Sequence, residues 1–539
     1  MDKCFERIFK MIDILIKNGL VVDGTGAPRR RCDVGIDGDK IVVMGSFMPE
    51  YAKKIINAEG RLVCPGFIDA HSHSDVTIEY NLTCESTIRQ GITTEIVGNC
   101  GDSAAPFPLD GKPCGFGSFG SHTGNYGRTL GQHITALEEK GFSGNIAWLV
   151  GHNTIRTVAG VKGAQVEEAE YIKMENILRQ ALEDGALGMS SGLEFEPGRS
   201  CFPHELLRLT KVLKEYDAIY TSHIRNRDSR VLEALDEFLE VVRTNELRGQ
   251  VSHMNIRHNT HAPENAFQQC VEKIQAAKRD GLHVLTDMTP LNYGIGQMAG
   301  ILPEWLTSYP AEKLGDMLKD EAIRDRLRRD CDRYWRFINN GEWDRVYMQA
   351  NNAFPEINGL PFLEISKIWN KDPWDCYFDI LASSAPDIGQ PVLVAYLFTD
   401  EHLRETISNP LYMLVVDGYS TSDRGEAAEY TRFPLHYIGM AWFLTHHVRE
   451  MGTLSLEEAV RKMTSMPAEH FRLDRRGRLS EGYYADICVF DLDSLETPFD
   501  LKKPAQYTRG MDYVIVNGKL VLDKAVHTGE RAGRTLKPV

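Results

Sequence analysis

Six side chains of metal-ligand type stand at places in this chain where they could act together. His71 and His73 lie in PGFIDAHSHSD, Cys100 in GNCG, His223 in TSHIRN, His253 in VSHMN, and Asp417 closes LYMLVVDG. Residues two apart on a strand face the same way, so His71 and His73 can share one ion. The glycines around Cys100 let backbone approach closely, and a thiol beside a divalent cation is deprotonated outright. Taken alone, Cys100 fits a small buried core cysteine equally well. A single strand-end histidine is most often a structural hydrogen-bonder, but His223 and His253 end two consecutive apolar runs. Asp417 follows a fully apolar run, as a shielded proton carrier or as the N-cap of a helix.

The set suits zinc, which takes imidazole nitrogen and thiolate sulfur and, in catalytic sites, keeps one position open for water. Such water has its pKa lowered to about 7 and attacks a carbonyl that the metal also polarises. Asp417 would carry the proton from that water to the leaving group. No serine nucleophile elbow, P-loop or dinucleotide fingerprint competes. GIGQMAG (294–300) is glycine-rich but lacks a strand-then-helix context, and reads as a flexible barrel loop.

These residues fall at the ends of eight apolar runs: 64–73, 93–100, 145–153, 186–192, 218–226, 249–255, 283–289 and 411–418. Helical stretches such as VEEAEYIKMENILRQALEDG and RVLEALDEFLEVVRTN separate them, with apolar residues at three- and four-residue intervals. Eight such units predict an α/β fold, a (β/α)8 TIM-type barrel, whose reactive residues sit at the C-terminal strand ends. Residues 64–475 are assigned to this barrel, interrupted by a Trp-rich insertion at about 294–410, longer than a simple loop allows. Residues 1–63 and 476–539 are rich in short β-branched runs broken by NG, DG and EG turns. They are expected to build one small β-sandwich domain from both termini.

The remaining composition narrows function. The chain has 539 residues, 42% hydrophobic and 25% charged, an ordinary globular balance. A net charge of −15 and the lack of a Lys/Arg run argue against nucleic acid or anionic membrane as partner. Eleven cysteines without a CxxC pair read as reduced thiols. The first twenty residues are too short and too charged for a signal peptide or a span, so the cytoplasm is the default compartment. The expected partner is a small-molecule amide, with oligomeric state left open.

PGFIDAHSHSD, the strand-end histidines, Asp417 and the split β domain together resemble the metal-dependent amidohydrolase superfamily. IKNGLVVDGTG, GNCG, GMSSGLEFEPG, SHIRN and RGRLSEGYYADICVFD are similar to its N-acyl-D-amino-acid deacylase (D-aminoacylase) branch. The resemblance implies that Cys100, His223 and His253 hold a tight zinc. His71, His73 and Asp417 would surround a second, weaker or vacant position, with Asp417 as general base and acid. A lysine, an arginine and a tyrosine that bind the substrate carboxylate in that branch are replaced here by Asn255, Ala428 and Thr289. Arg227, Tyr293 and Arg432 are candidates to compensate. The implied reaction is hydrolysis of N-acyl-D-amino acids, with a cyclic amide or imide (hydantoin, lactam or dihydropyrimidine type) as the alternative. A non-catalytic scaffold barrel would have no need of all six donors.

Overall fold

The computed structural model describes residues 11–107, 129–307, 309–330, 334–385, 387–425, 428 and 431–538. Its centre is a parallel barrel of eight strands: Phe67–Asp69, Ile92–Val97, Asn145–Gly151, Gly188–Gly192, Ile219–His223, Arg248–Val251, His283–Met288 and Tyr412–Leu414. They are called strands one to eight below. Each pairs with the next in sequence, and the ring is drawn shut by the parallel pairing of Ser72 with Gly418. Two bonds flank that seam: Asp417 N–H donates to the His71 carbonyl (2.9 Å) and His73 N–H to that of Gly418 (2.8 Å).

Strands two and three are buried along their whole length, as strands covered by a barrel interior on one face and helices on the other must be. The outer helices are amphipathic. Val231–Thr244 turns Val231, Leu235, Phe238, Leu239 and Val242 inward, each worth about 1.5–3 kcal/mol when fully buried. The predicted first run, 64–73, is divided between two sheets. Leu62–Pro65 pairs with Ile487–Phe490 outside the barrel, and strand one begins only at Phe67. Gly66 marks the junction, where a Cβ would lie 2.2 Å from the Thr93 hydroxyl.

Outside the barrel, a seven-stranded sheet interleaves the termini: Leu20–Val21, Arg30–Arg31 and Leu62–Pro65 join Ile487–Phe490, Met511–Val516, Lys519–Asp523 and Val526–His527. A four-stranded sheet (Ile12–Lys17, Val34–Asp37, Lys40–Met44, Ala52–Asn57) shares one apolar core with it, including Ile16, Val34, Ile36, Val63, Ile487 and Ile515. The first ten residues, read above as part of a non-membrane N-terminus, lie outside the described residues. No described helix is long and apolar enough to cross a membrane.

Between strands seven and eight, Tyr293–Gln297, Val392–Tyr396 and Val346–Ala350 form an antiparallel sheet with short helices packed around it. Residues 294–300, expected as a flexible loop, are a strand of this sheet followed by the 3-10 turn Met298–Ile301. Glycine allows close neighbours here: a Cβ at Gly296 would lie 2.9 Å from Trp335. Trp335 and Trp343 are buried in this insertion, the latter stacked on Phe362.

Candidate metal centre

The seam between strands one and eight sets the first half of the site. Asp69 accepts from the backbone N–H of His71 (3.2 Å) and of Val416 (3.0 Å), tying both chain segments to one carboxylate. His73 Nε2 lies 3.1 Å from Asp417 Oδ1 and His71 Nε2 3.4 Å from it. His71 Nε2 is 3.3 Å from the sulfur of Cys100. The Asp417 side chain stays 28% exposed while His71 is fully buried. Among the described residues no helix starts at Asp417, whose carboxylate faces these histidines.

Cys100, His223 and His253 make the second half. The thiol lies 3.5 Å from His223 Nδ1 and 3.4 Å from His253 Nε2. All three are buried, and their donor atoms lie within 4.8 Å of one another. A second set, His71, His73, Cys100 and Asp417, meets the same limit, so the two sets share Cys100. Cys100, His253 and Asp417 also have positive φ, at 52°, 33° and 56°. That conformation costs a residue with a side chain about 1–3 kcal/mol and persists only where surrounding packing enforces it. At Cys100 the enforcement is visible: a Cβ on Gly192 would sit 1.8 Å from the Cys100 carbonyl, so only glycine permits the approach.

The electrostatics are those of acids and histidines that charge one another. Burial pushes the Cys100 thiol up, but His71 and His253 together with the His223 contact bring it well below its usual 9.0. Burial opposes charge on His71, yet Cys100, Asp417 and Asp287 raise it well above 6.5. His73 is likewise raised to about 10, contacts with Asp417 and Cys100 outweighing burial. Burial would raise Asp417, but His71, His253 and His73 hold its carboxyl below the ordinary range. His253 goes the other way: burial and the Arg227 charge lower it to about 3, leaving a neutral imidazole. Once His71 and His73 give up their protons to a metal ion, imidazoles, a thiolate and a carboxylate around one point match the donor set of a borderline-soft divalent ion such as zinc.

The structure therefore brings together all six residues singled out above. It also supplies braces that the sequence reading passed over. Glu194 Oε2 lies 2.7 Å from His223 Nε2, turning Nδ1 toward the thiol, and Arg257 grips the same carboxylate through two nitrogens (2.9 and 2.5 Å). Asp287, at the end of strand seven, accepts from the His253 backbone N–H (2.5 Å), lies 3.4 Å from His71 Nδ1 and is bonded by Gln250. Such outer contacts fix ring orientation and raise ligand basicity. Glu194 stood in GLEFEPG and Asp287 at a strand end, both positions at which a carboxylate is a readable signal. Of the three compensating candidates, Arg227 lies beside His253. Tyr293 packs among Tyr347, Tyr396 and Phe499 in the insertion, and Arg432 is half-buried before the helix Leu435–Trp442.

With this geometry in view, comparison with known proteins is informative. The model of the amidohydrolase family matches residues 54–215 and 421–522. The N-acyl-D-glutamate deacylase of Alcaligenes xylosoxydans xylosoxydans is 32% identical over 98% of this chain and 96% of its own. A crystal structure of N-acyl-D-glutamate deacylase from Bordetella bronchiseptica, complexed with zinc and a phosphonate inhibitor, superposes with a TM-score of 0.81 at 27% identity. That match covers 98% of this chain and all of the other. A D-aminoacylase structure with a binuclear metal centre gives 0.80 at 25% identity over the same span. Sequence and architecture agree along almost the whole length: this chain belongs to the amidohydrolase family.

Proposed function

We propose that this protein is a zinc-dependent amide hydrolase that cleaves the acyl group from N-acyl-D-amino acids. The carrying observation is the convergence of two donor sets on the single sulfur of Cys100 at the open end of the barrel. The full-length similarity to an N-acyl-D-glutamate deacylase supports the substrate class. In this reading residues 64–475 are the hydrolase barrel, and residues 1–63 and 476–539 supply the small β domain.

Cys100, His223 and His253 would hold a tight zinc, and His71, His73 and Asp417 a second, weaker position. When bound, zinc polarises the scissile carbonyl and lowers the pKa of water. The chain's own residues then do the rest. Asp417 keeps its carboxylate ionised beside His71 and His73, and its partial exposure lets a substrate nitrogen approach. It takes a proton from the attacking water and returns it to the departing amine, so that the C–N bond breaks with a neutral leaving group. Asp287 and Glu194 hold His71, His253 and His223 in register throughout. The burial of Cys100 and the histidines keeps bulk water from competing for them.

Asn255 and Thr289, neutral and buried, favour a second reading in which the substrate is a cyclic amide or imide with no carboxylate. Acyl release from N-acetyl-D-amino acids, measured against ring opening of hydantoins, lactams and dihydropyrimidines, separates the two. Turnover of an acyl-D-amino acid supports the first, whereas ring opening without any acyl release replaces it with the second.

A further inference from the structure

Arg227 is 7% exposed, yet among the described residues it has no carboxylate within hydrogen-bonding distance. Its Nη1 is anchored: it donates to the His253 carbonyl (3.0 Å) and to Asn255 Oδ1 (3.1 Å). Its Nε is buried without any partner, and Nη2 makes no hydrogen bond, its nearest carboxylate oxygen being Glu194 Oε2 at 3.9 Å. The open part of the guanidinium is thus the Nε–Nη2 edge, the side-on fork that takes a carboxylate through two parallel bonds. Nε is thus a buried donor whose lost solvation no described group repays.

Nearby acids do not fill the fork. Glu194 and Asp228 are the carboxylates around it, and Arg257 binds both, at 2.5 and 3.0 Å, while Glu194 also braces His223. Position also matters. Arg227 Nη1 lies 2.8 Å from Nδ1 of His253, whose other nitrogen lies 3.4 Å from the Cys100 sulfur. The guanidinium is therefore one imidazole ring away from the donor cluster. Asn255, just beyond strand six, is the residue that Arg227 grips.

From this geometry we propose that Arg227 is the carboxylate-binding residue of this enzyme, strand five supplying the cation that strand six lacks. The proposal rests on the deacylase reading. A substrate carboxylate would accept from Nε–H and Nη2–H. Such a clamp selects anionic acyl amino acids over their uncharged derivatives.

The test measures kcat/KM for N-acetyl-D-amino acids and for their α-carboxamides, together with bound zinc, in the native enzyme and in Arg227→Met and Arg227→Lys. The native enzyme should prefer the carboxylates. Arg227→Met should lose about 100-fold on carboxylates with less than about a threefold change on carboxamides, at unchanged zinc content. Arg227→Lys, which keeps the charge but not the fork, should fall between. A preference unchanged in both variants, or an equal fall on both substrate types, overturns the proposal and leaves the deacylase reading standing. If Arg227→Met does not fold or loses its zinc, Arg227→Lys alone decides by the same ratio. Absence of acyl release by the native enzyme from either substrate series overturns the deacylase reading and the proposal with it.

Discussion

Two buried groups of histidine, cysteine and carboxylate lie on the same side of this barrel, and they are chemically opposite. One is the six-residue cluster around Cys100. The other is His152, Cys201 and Glu205, all three buried and with donor atoms equally close. In the second, the positive charge is already present. Arg156 Nη1 lies 2.5 Å from Glu205 Oε2, His152 Nε2 lies 2.6 Å from Oε1, and Arg225 reaches the Cys201 sulfur at 3.7 Å. The two thiols report the difference. Burial pushes Cys201 up to about 11, whereas the histidines around Cys100 pull it well below 9.0 despite the same burial. Proximity of ligand-type residues does not define a metal site. What distinguishes the first cluster is that histidines, whose protons a metal ion can displace, face its thiolate and carboxylate, whereas the permanent charge of arginine answers the second.

Replacing the two cysteines in turn should give the largest contrast. Cys100→Ala removes the sulfur common to both donor sets, and zinc should fall from about one equivalent to under ~0.1, with turnover at background. Cys201→Ala should keep its zinc and its turnover. Metal analysis of both purified variants checks this, and zinc lost from Cys201→Ala would erase the distinction. Next in size is Asp417→Asn, which should retain zinc while kcat drops about 10²–10⁴-fold, the range for a lost proton carrier. An Asp417→Asn enzyme with near-native kcat would remove that residue from the chemistry. Glu194→Gln keeps shape but weakens the brace on His223. Competition with a chelator should show zinc affinity down about 10–100-fold, and unchanged affinity would make Glu194 a partner of Arg257 alone.

The contrast between the clusters was only half legible in the sequence. His71 and His73 announce themselves through two-residue spacing, and the strand-end positions of His223, His253 and Asp417 follow from apolar runs that local patterning reveals. All eight barrel strands were located in this way, although the first run straddles two sheets because nothing local marks the change of partner at Gly66. Glu194 and Asp287 escaped notice because their meaning lies in contacts with residues tens of positions away. GIGQMAG was misread for the same reason: its strand exists through pairing with Val392–Tyr396, about a hundred residues later. The tail residues Thr535–Leu536 pair with Ile146–Ala147 in strand three, again without a local signal. A thiolate and a carboxylate faced by histidines are a property of the assembled site. No single segment carries it.

The smallest effect on catalysis, and a large one on stability, belongs to Glu205. Glu205→Gln leaves Arg156 buried without its counter-charge, and breaking a buried pair in this way costs about 3–5 kcal/mol. Zinc content and kcat at neutral pH should not change, since no Glu205 contact reaches Cys100, whereas the urea midpoint should fall. The sign of the pH dependence follows from the folded state. Burial alone would raise the Glu205 carboxyl, but His152 and Arg156 outweigh it and hold it below its ordinary 4.5. The pair therefore stabilises the fold fully above the unfolded value, and the contribution is lost as pH falls through the lower folded one. The stability gap between native protein and Glu205→Gln should accordingly be constant from neutrality down to about pH 5 and narrow below pH 4.5. A gap that does not narrow in acid would mean that Glu205 acts through packing. In that case the second cluster would differ from the first in shape, with charge playing no part.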